Sequence, residues 1–151
     1  MQAFDEAWMR QALALAHRAK EAGEVPVGAL LIGPDQQILG QGWNQVEQTH
    51  DPCAHAEMIA IREAARNHQK TRLLDCTLYV TLEPCCMCAG ALVHARVKRL
   101  VFAARDFRAG AAGSAFQLLN GDPLNHRVWV DEGVLHTEST QLLQDFFKTL
   151  R

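Results

Sequence analysis

Two short segments carry side chains able to bind a metal and move protons: His55-Ala56-Glu57 and Pro84-Cys85-Cys86-Met87-Cys88. One imidazole and two thiolates, from His55, Cys85 and Cys88, form a ligand set that suits Zn²⁺. Three protein ligands leave a fourth tetrahedral position for water, the mark of a catalytic rather than a structural site. Cys85 and Cys88 are three apart in a first helical turn and share a face. His55 and Glu57 are two apart, so both converge on a metal only if it lies beyond the end of their helix. Zn²⁺, two thiolates and a neutral imidazole sum to zero charge. Two helix N-termini, each worth about half a positive charge, favour the thiolates and an ionised water. Zinc lowers the pKa of such a water to about 7, and a neighbouring carboxylate can take the proton. Glu57 is placed to be that carboxylate.

The elements that must position these residues follow from periodicity. Phe4, Trp8, Ala12, Leu15, Ala19 and Ala22 recur at helical steps, predicting a helix that ends near Gly23. Residues 25–32 read as a strand and Gly33-Pro34-Asp35 as a turn, with residues 37–43 returning as a second strand. A polar loop over 44–53 leads to a helix over 54–67, announced by Asp51 and Pro52. Strands are predicted at 77–82 and 98–104, separated by a helix over 85–95. A glycine- and alanine-rich loop over 105–113, an apolar turn at 116–119, a strand at 128–130 and a last helix from about 140 to 150 complete the chain. Helices alternating with strands predict one α/β domain over residues 1–151, with helices on both faces of a five-stranded mixed sheet. The second, third and fourth strands run parallel, and the hairpin sets the first against them. Both helices of the motif pair then open on the same sheet edge, where α/β ligand sites form, and Asn44 ends a strand there.

Composition bounds the function. The chain has 151 residues, 48% hydrophobic and 21% charged, which excludes disordered and collagen-like classes. No apolar run approaches the roughly 18 residues of a membrane span. Asp5 and Glu6 stand where a secretion signal would be basic, so the expected compartment is the cytoplasm, with no membrane association. Fifteen basic residues against seventeen acidic ones give a net charge of −2, so a nucleic-acid partner requires a local patch. Arg96, Lys98, Arg99, Arg105 and Arg108 are the best candidates for it. Five cysteines, odd in number and three of them within four positions, are not a disulfide framework. Cys53, Cys76 and Cys86 read as small core residues, and His17, His68, His94 and His136 as surface or capping histidines.

His-x-Glu followed by Pro-Cys-x-x-Cys is the signature of zinc nucleobase deaminases. The surrounding segments make the resemblance more specific: residues 24–29, 42–44, 50–52, 81–85, 87–90, 104–106, 125–127 and Phe146-Phe147. From about Trp8 to Leu150 the chain resembles the bacterial tRNA-specific adenosine deaminases of the cytidine/deoxycytidylate deaminase superfamily. That resemblance implies a three-layer α/β/α cytidine deaminase-like fold, a homodimer and one Zn²⁺ per subunit on His55, Cys85 and Cys88. It implies hydrolytic deamination of adenosine to inosine at the wobble position of a tRNA anticodon. On that resemblance, zinc-bound hydroxide would attack C6 and Glu57 would shuttle protons to adenine N1 and to the amino group leaving as ammonia. The Ala56 N–H would hold the developing oxygen, and Asn44 would hydrogen-bond the flipped-out nucleoside. Arg105, Asp106 and one of Phe146 and Phe147, with Phe147 preferred, would meet the anticodon stem-loop.

Two other readings remain open at this point. One is a deaminase of a free base or nucleoside, with the same zinc chemistry and no RNA contacts. The other is a zinc-stabilised RNA-binding module in which Cys86 or Cys53 closes the site as a fourth ligand.

Overall fold

The computed structural model describes residues 2–121 and 125–150. Helix α1 (Asp5–Glu21) leads to the hairpin β1 (Gly28–Ile32) and β2 (Ile38–Trp43), then to the single turn α2 (Val46–Thr49) and helix α3 (Ala56–His68). Strand β3 (Thr77–Leu82), helix α4 (Cys86–His94), strands β4 (Arg99–Ala104) and β5 (Trp129–Glu132), and helix α5 (His136–Thr149) follow. The five strands form one sheet in the order β2-β1-β3-β4-β5. β1 is antiparallel to both neighbours, whereas β3, β4 and β5 are parallel. β2 therefore points the same way as β3 and β4, as expected, with β1 lying between them.

Every residue of β1 and β4 is buried, because helices cover both faces of the sheet. Ala29 and Leu31 pack towards α3 and α4 with Ala60, Ala64, Leu92 and Phe102. Leu30 and Ile32, pointing the other way, pack with Met9, Ala12 and Leu15 of α1. Leu142 of α5 joins Leu13 and Ala16 of α1 on that second face. These layers are the expected α/β/α architecture. Close helix–sheet approach depends on small residues: a Cβ at Gly28 would overlap the Ala12 carbonyl oxygen, and one at Gly40 the Ala60 oxygen.

The polar loop over 44–53 contains α2, held by a partner that local sequence does not reveal. The buried Glu24 carboxylate accepts the N–H groups of Glu47 and Gln48 at 3.1 and 2.8 Å, satisfying that turn's exposed donors. Helix α5 begins four residues earlier than expected, because His136-Thr137-Glu138 carries no apolar period that would mark it as helix. In the segment over 116–119, expected as an apolar turn, an isolated antiparallel bridge pairs Gln117 with Ala112.

The expected basic patch does not exist as one surface. Arg99, at the start of β4, is buried and turned inward. It meets Asp5 through two hydrogen bonds, at 2.9 and 2.7 Å, and Asp131 through a third at 2.9 Å. Arg105 lies beyond the other end of that strand, about 20 Å further on at roughly 3.3 Å per residue. The Tyr79 hydroxyl donates to Asp5 at 2.6 Å. Burial alone would raise the Asp5 carboxyl, but hydrogen bonds from Arg99, Tyr79 and the Gln2 N–H outweigh it and bring it down to about 2. Its stabilising contribution is complete above the ordinary value near 3.8 and is lost as pH falls towards 2. Arg99→Ala leaves two carboxylates without their cation, so we expect a loss of about 3–5 kcal/mol. Chemical denaturation measures it, and activity per folded molecule should be unchanged, because this network lies at the sheet edge away from the site below.

Candidate metal centre and active site

β2 and β3 run in the same direction, so the chain leaves both at one sheet edge and enters α3 and α4 there. His55 is the N-cap residue of α3 and Cys85 that of α4. Both have extended backbones, and neither side chain caps its own helix. Their side chains are thereby left to point outward, beyond the helix ends. Cys88 sits in the first turn of α4. The Cys85 and Cys88 sulfurs each lie 3.6 Å from His55 Nδ1, and all three ligand atoms fall within 4.8 Å of one another. Zn–S and Zn–N bonds of about 2.3 and 2.0–2.1 Å, set at the tetrahedral angle, separate sulfur from nitrogen by about 3.6 Å. The donor set and its spacing therefore fit one Zn²⁺ per chain.

Without a cation these groups share protons. The hydrogen bond from Cys88 draws Cys85 down to about 3, against the cost of its burial, and the His55 ring adds to the effect. The Cys88 thiol is pushed up by that same pairing, and its burial works in the same direction. Both must be thiolates to hold zinc, so metal uptake expels a proton. Glu57 is only 4% exposed, and burial pushes its carboxyl up to about 7. A carboxyl in that range both takes and returns a proton near neutral pH.

His55, Glu57 and Cys85 open on a cavity of about 460 Å³. Its apolar wall includes Val25, Val27, Leu82 and Phe146, while Asn44, Glu83 and Asp106 supply polar edges. That volume lies within the range typical of small-molecule sites.

Several expected roles meet a different geometry. The Ala56 N–H already donates to Asn44 Oδ1 at 2.8 Å. Because the His55 side chain faces the thiols, the first N–H of α3 needs an acceptor from elsewhere, and Asn44 provides it. In this conformation that donor is not directed at a substrate oxygen, whereas the Asn44 side chain still borders the cavity. Arg105 does not line the cavity; it forms a bidentate pair with Glu132, at 2.9 and 2.6 Å. It borders a neighbouring groove with Arg108 and Lys148. Asp106 does line the cavity, with its carboxylate accepting the Arg108 and Ala109 N–H groups at 3.1 Å each. Phe146 is 7% exposed and Phe147 46%, so the two adjacent rings divide between core and surface as their helical spacing requires. Phe147 borders both the cavity and the adjoining groove.

Of the three cysteines read as core, only Cys76 is buried; Cys53 is half-buried and Cys86 exposed. Neither belongs to the ligand cluster found among the described residues. His17, His68, His94 and His136 are exposed, as expected. The reading missed the structural weight of Glu24 and Glu83, two buried carboxylates beside the cavity. Their only signal was membership of the quoted segments.

Residues 2–104 match the family described as the cytidine and deoxycytidylate deaminase zinc-binding region. A tRNA-specific adenosine deaminase from Haemophilus influenzae is 52% identical over 148 residues, 98% of this chain and 86% of the relative. The chain belongs to the tRNA-specific adenosine deaminases of that zinc-binding family. A solved structure from work on A-to-I editing by tRNA:A34 deaminases at the wobble position superposes with a TM-score of 0.87. It is 37% identical, and the match covers 91% of this chain and 99% of that one. A guanine deaminase from Nitrosomonas europaea shares the fold at a TM-score of 0.81 and 26% identity, over 93% of this chain and 83% of that one. The fold is thus common to deaminases with different substrates, and the deaminase family membership speaks against a purely structural zinc module.

Proposed function

We propose that this chain hydrolyses adenosine to inosine at the wobble position of a tRNA anticodon. The observation that carries the reading is the placement of Glu57, buried beside the His55, Cys85 and Cys88 cluster on a cavity that exposed Phe147 borders. The relatives' substrate narrows it from any zinc deaminase to one acting on tRNA.

His55, Cys85 and Cys88 hold the metal, which when bound supplies Lewis acidity and eases ionisation of water. Glu57 takes a proton from water and gives it to adenine N1, then takes the second proton from the hydroxyl now on C6 and passes it to the amino group, which departs as ammonia. Asn44 borders the base and fixes the start of α3 through Ala56. The apolar wall excludes bulk water from the flipped-out base. Phe147 offers a stacking face for a neighbouring base, while Asp106 at the cavity and Arg105 and Arg108 along the adjoining groove meet the anticodon loop. The whole chain acts as one deaminase domain, pairs as a homodimer and works in the cytoplasm. Among the described residues no helix is long and apolar enough to cross a membrane.

The test is incubation of the zinc-loaded chain with an anticodon stem-loop carrying adenosine at the wobble position, followed by digestion to nucleosides. Inosine should appear at that position, and an inert stem-loop would sink the reading. Phe147→Ala should raise KM for the stem-loop about tenfold, the scale of one lost stacking contact, with zinc content unchanged. An unaltered KM would remove Phe147 from the RNA surface. Sedimentation equilibrium should give twice the chain mass, and a single-chain mass would contradict the dimer.

A further inference from the structure

Glu83 is 2% exposed, and no cation pairs with it among the contacts the described residues make. Its carboxylate instead accepts four donors from one loop. Oε1 takes the Asp106 N–H at 3.1 Å and the Ser114 hydroxyl. Oε2 takes the N–H groups of Ala112 at 2.9 Å and Ser114 at 3.1 Å. Backbone bonds extend the seam: Glu83 N–H to the Ala104 oxygen, and Ala111 N–H to the Pro84 oxygen, each at 2.8 Å. Gly110 lies over this carboxylate so closely that a Cβ there would overlap Glu83 Cδ. Asp106 continues the chain of contacts by accepting the N–H groups of Arg108 and Ala109.

A buried carboxylate without a countercharge is costly to desolvate unless hydrogen bonds saturate it. Here all the saturating donors come from residues 106–114, so the loop cannot move away without stranding the charge. Glu83 stands two residues before Cys85, and Glu83, Cys85, Asp106 and Ala109 line the same cavity. We infer that Glu83 is a positioning residue for the reaction: its carboxylate clamps the 106–114 loop to the segment carrying Cys85 and so holds the cavity wall around the target base. The inference rests on the proposed function for its substrate, but the clamp itself is independent of it.

Glu83→Gln puts an NH₂ group against at least one backbone N–H donor in either orientation and leaves a single accepting oxygen. In the zinc-loaded variant, hydrogen exchange at the Asp106, Ala112 and Ser114 amides should accelerate about tenfold or more, while β3 and β4 keep their protection. KM for the stem-loop should rise about tenfold or more with kcat changed less than about threefold, and the zinc content should stay at one per chain. Ser114→Ala, which removes one donor and leaves the carboxylate, should shift the same readouts in the same direction by less; it also decides the matter if Glu83→Gln does not fold. Unchanged exchange at those amides would overturn the clamp. Loss of zinc, or of kcat without KM, would overturn the positioning role. An inactive wild type would instead defeat the proposed substrate, with the exchange measurement still deciding the clamp.

Discussion

Glu57→Ala should abolish turnover while leaving the metal in place. Glu57 is not among the three ligand atoms, so zinc content should remain one per chain and stem-loop binding should persist. What disappears is the group that carries protons between water, adenine N1 and the leaving amine. One general acid–base group is worth about 10² to 10⁴ in rate, and a residue serving several transfers belongs at the upper end, so the expected loss is about 10³-fold or more. A second consequence separates chemistry from folding. In the metal-free chain burial holds the Glu57 carboxyl up to about 7, above its ordinary value near 4.5. Between those values the folded state keeps a proton that the unfolded chain has released, so stability falls as pH rises across that window. The alanine variant should lack this decline. Inactivity with full zinc content and undiminished stability would be the signature of a missing proton shuttle; unchanged turnover would refute the assignment.

Cys88→Ala should be the more damaging change. It removes a buried ligand from the first turn of α4 and leaves one thiolate and one imidazole, too few to hold zinc tightly. We expect zinc to fall below about a tenth of an equivalent after dialysis and activity to be undetectable. Loss of the bound ion also lowers thermal stability, since a ligand that binds only the folded chain stabilises it by mass action. Elemental analysis and a melting curve with and without added zinc read both effects. In the wild type, a strong chelator should reproduce the inactive, less stable form, and added Zn²⁺ should restore it. In the variant, zinc should restore nothing. Acidification should also weaken zinc binding in the wild type, because protons then compete with the metal for the thiolates and the imidazole.

How much of this was legible in the sequence depended on whether a contact follows from spacing. His55, Cys85, Cys88 and Glu57 could be read together because alternating elements place two helix starts on one sheet edge, and spacing then selects which side chains reach beyond them. The α/β/α layering was equally readable from apolar periods. The Asn44–Ala56 hydrogen bond was not, because it arises only once His55 occupies the N-cap without capping it. The basic patch failed for a related reason. Arg99 and Arg105 are six positions apart on paper, but β4 carries one to each end, and the partner of Arg99 is Asp5, 94 residues away in sequence. Glu24 and Glu83 show the deepest limit. Glu24 binds only backbone N–H groups and Glu83 three of them and one serine hydroxyl, so neither has a charged partner whose residue type could betray it.

The central claim is that one zinc-assisted cavity acts on adenosine presented by an anticodon loop. Ammonia release by the zinc-loaded chain should therefore be measured in parallel on the wobble-adenosine stem-loop and on free adenosine, cytidine, cytosine and guanine. The account predicts release from the stem-loop alone, with inosine as the product. Release only from a free base or nucleoside would keep the metal chemistry but contradict the RNA substrate, leaving Phe147 and the arginines of the 105–108 segment as structure.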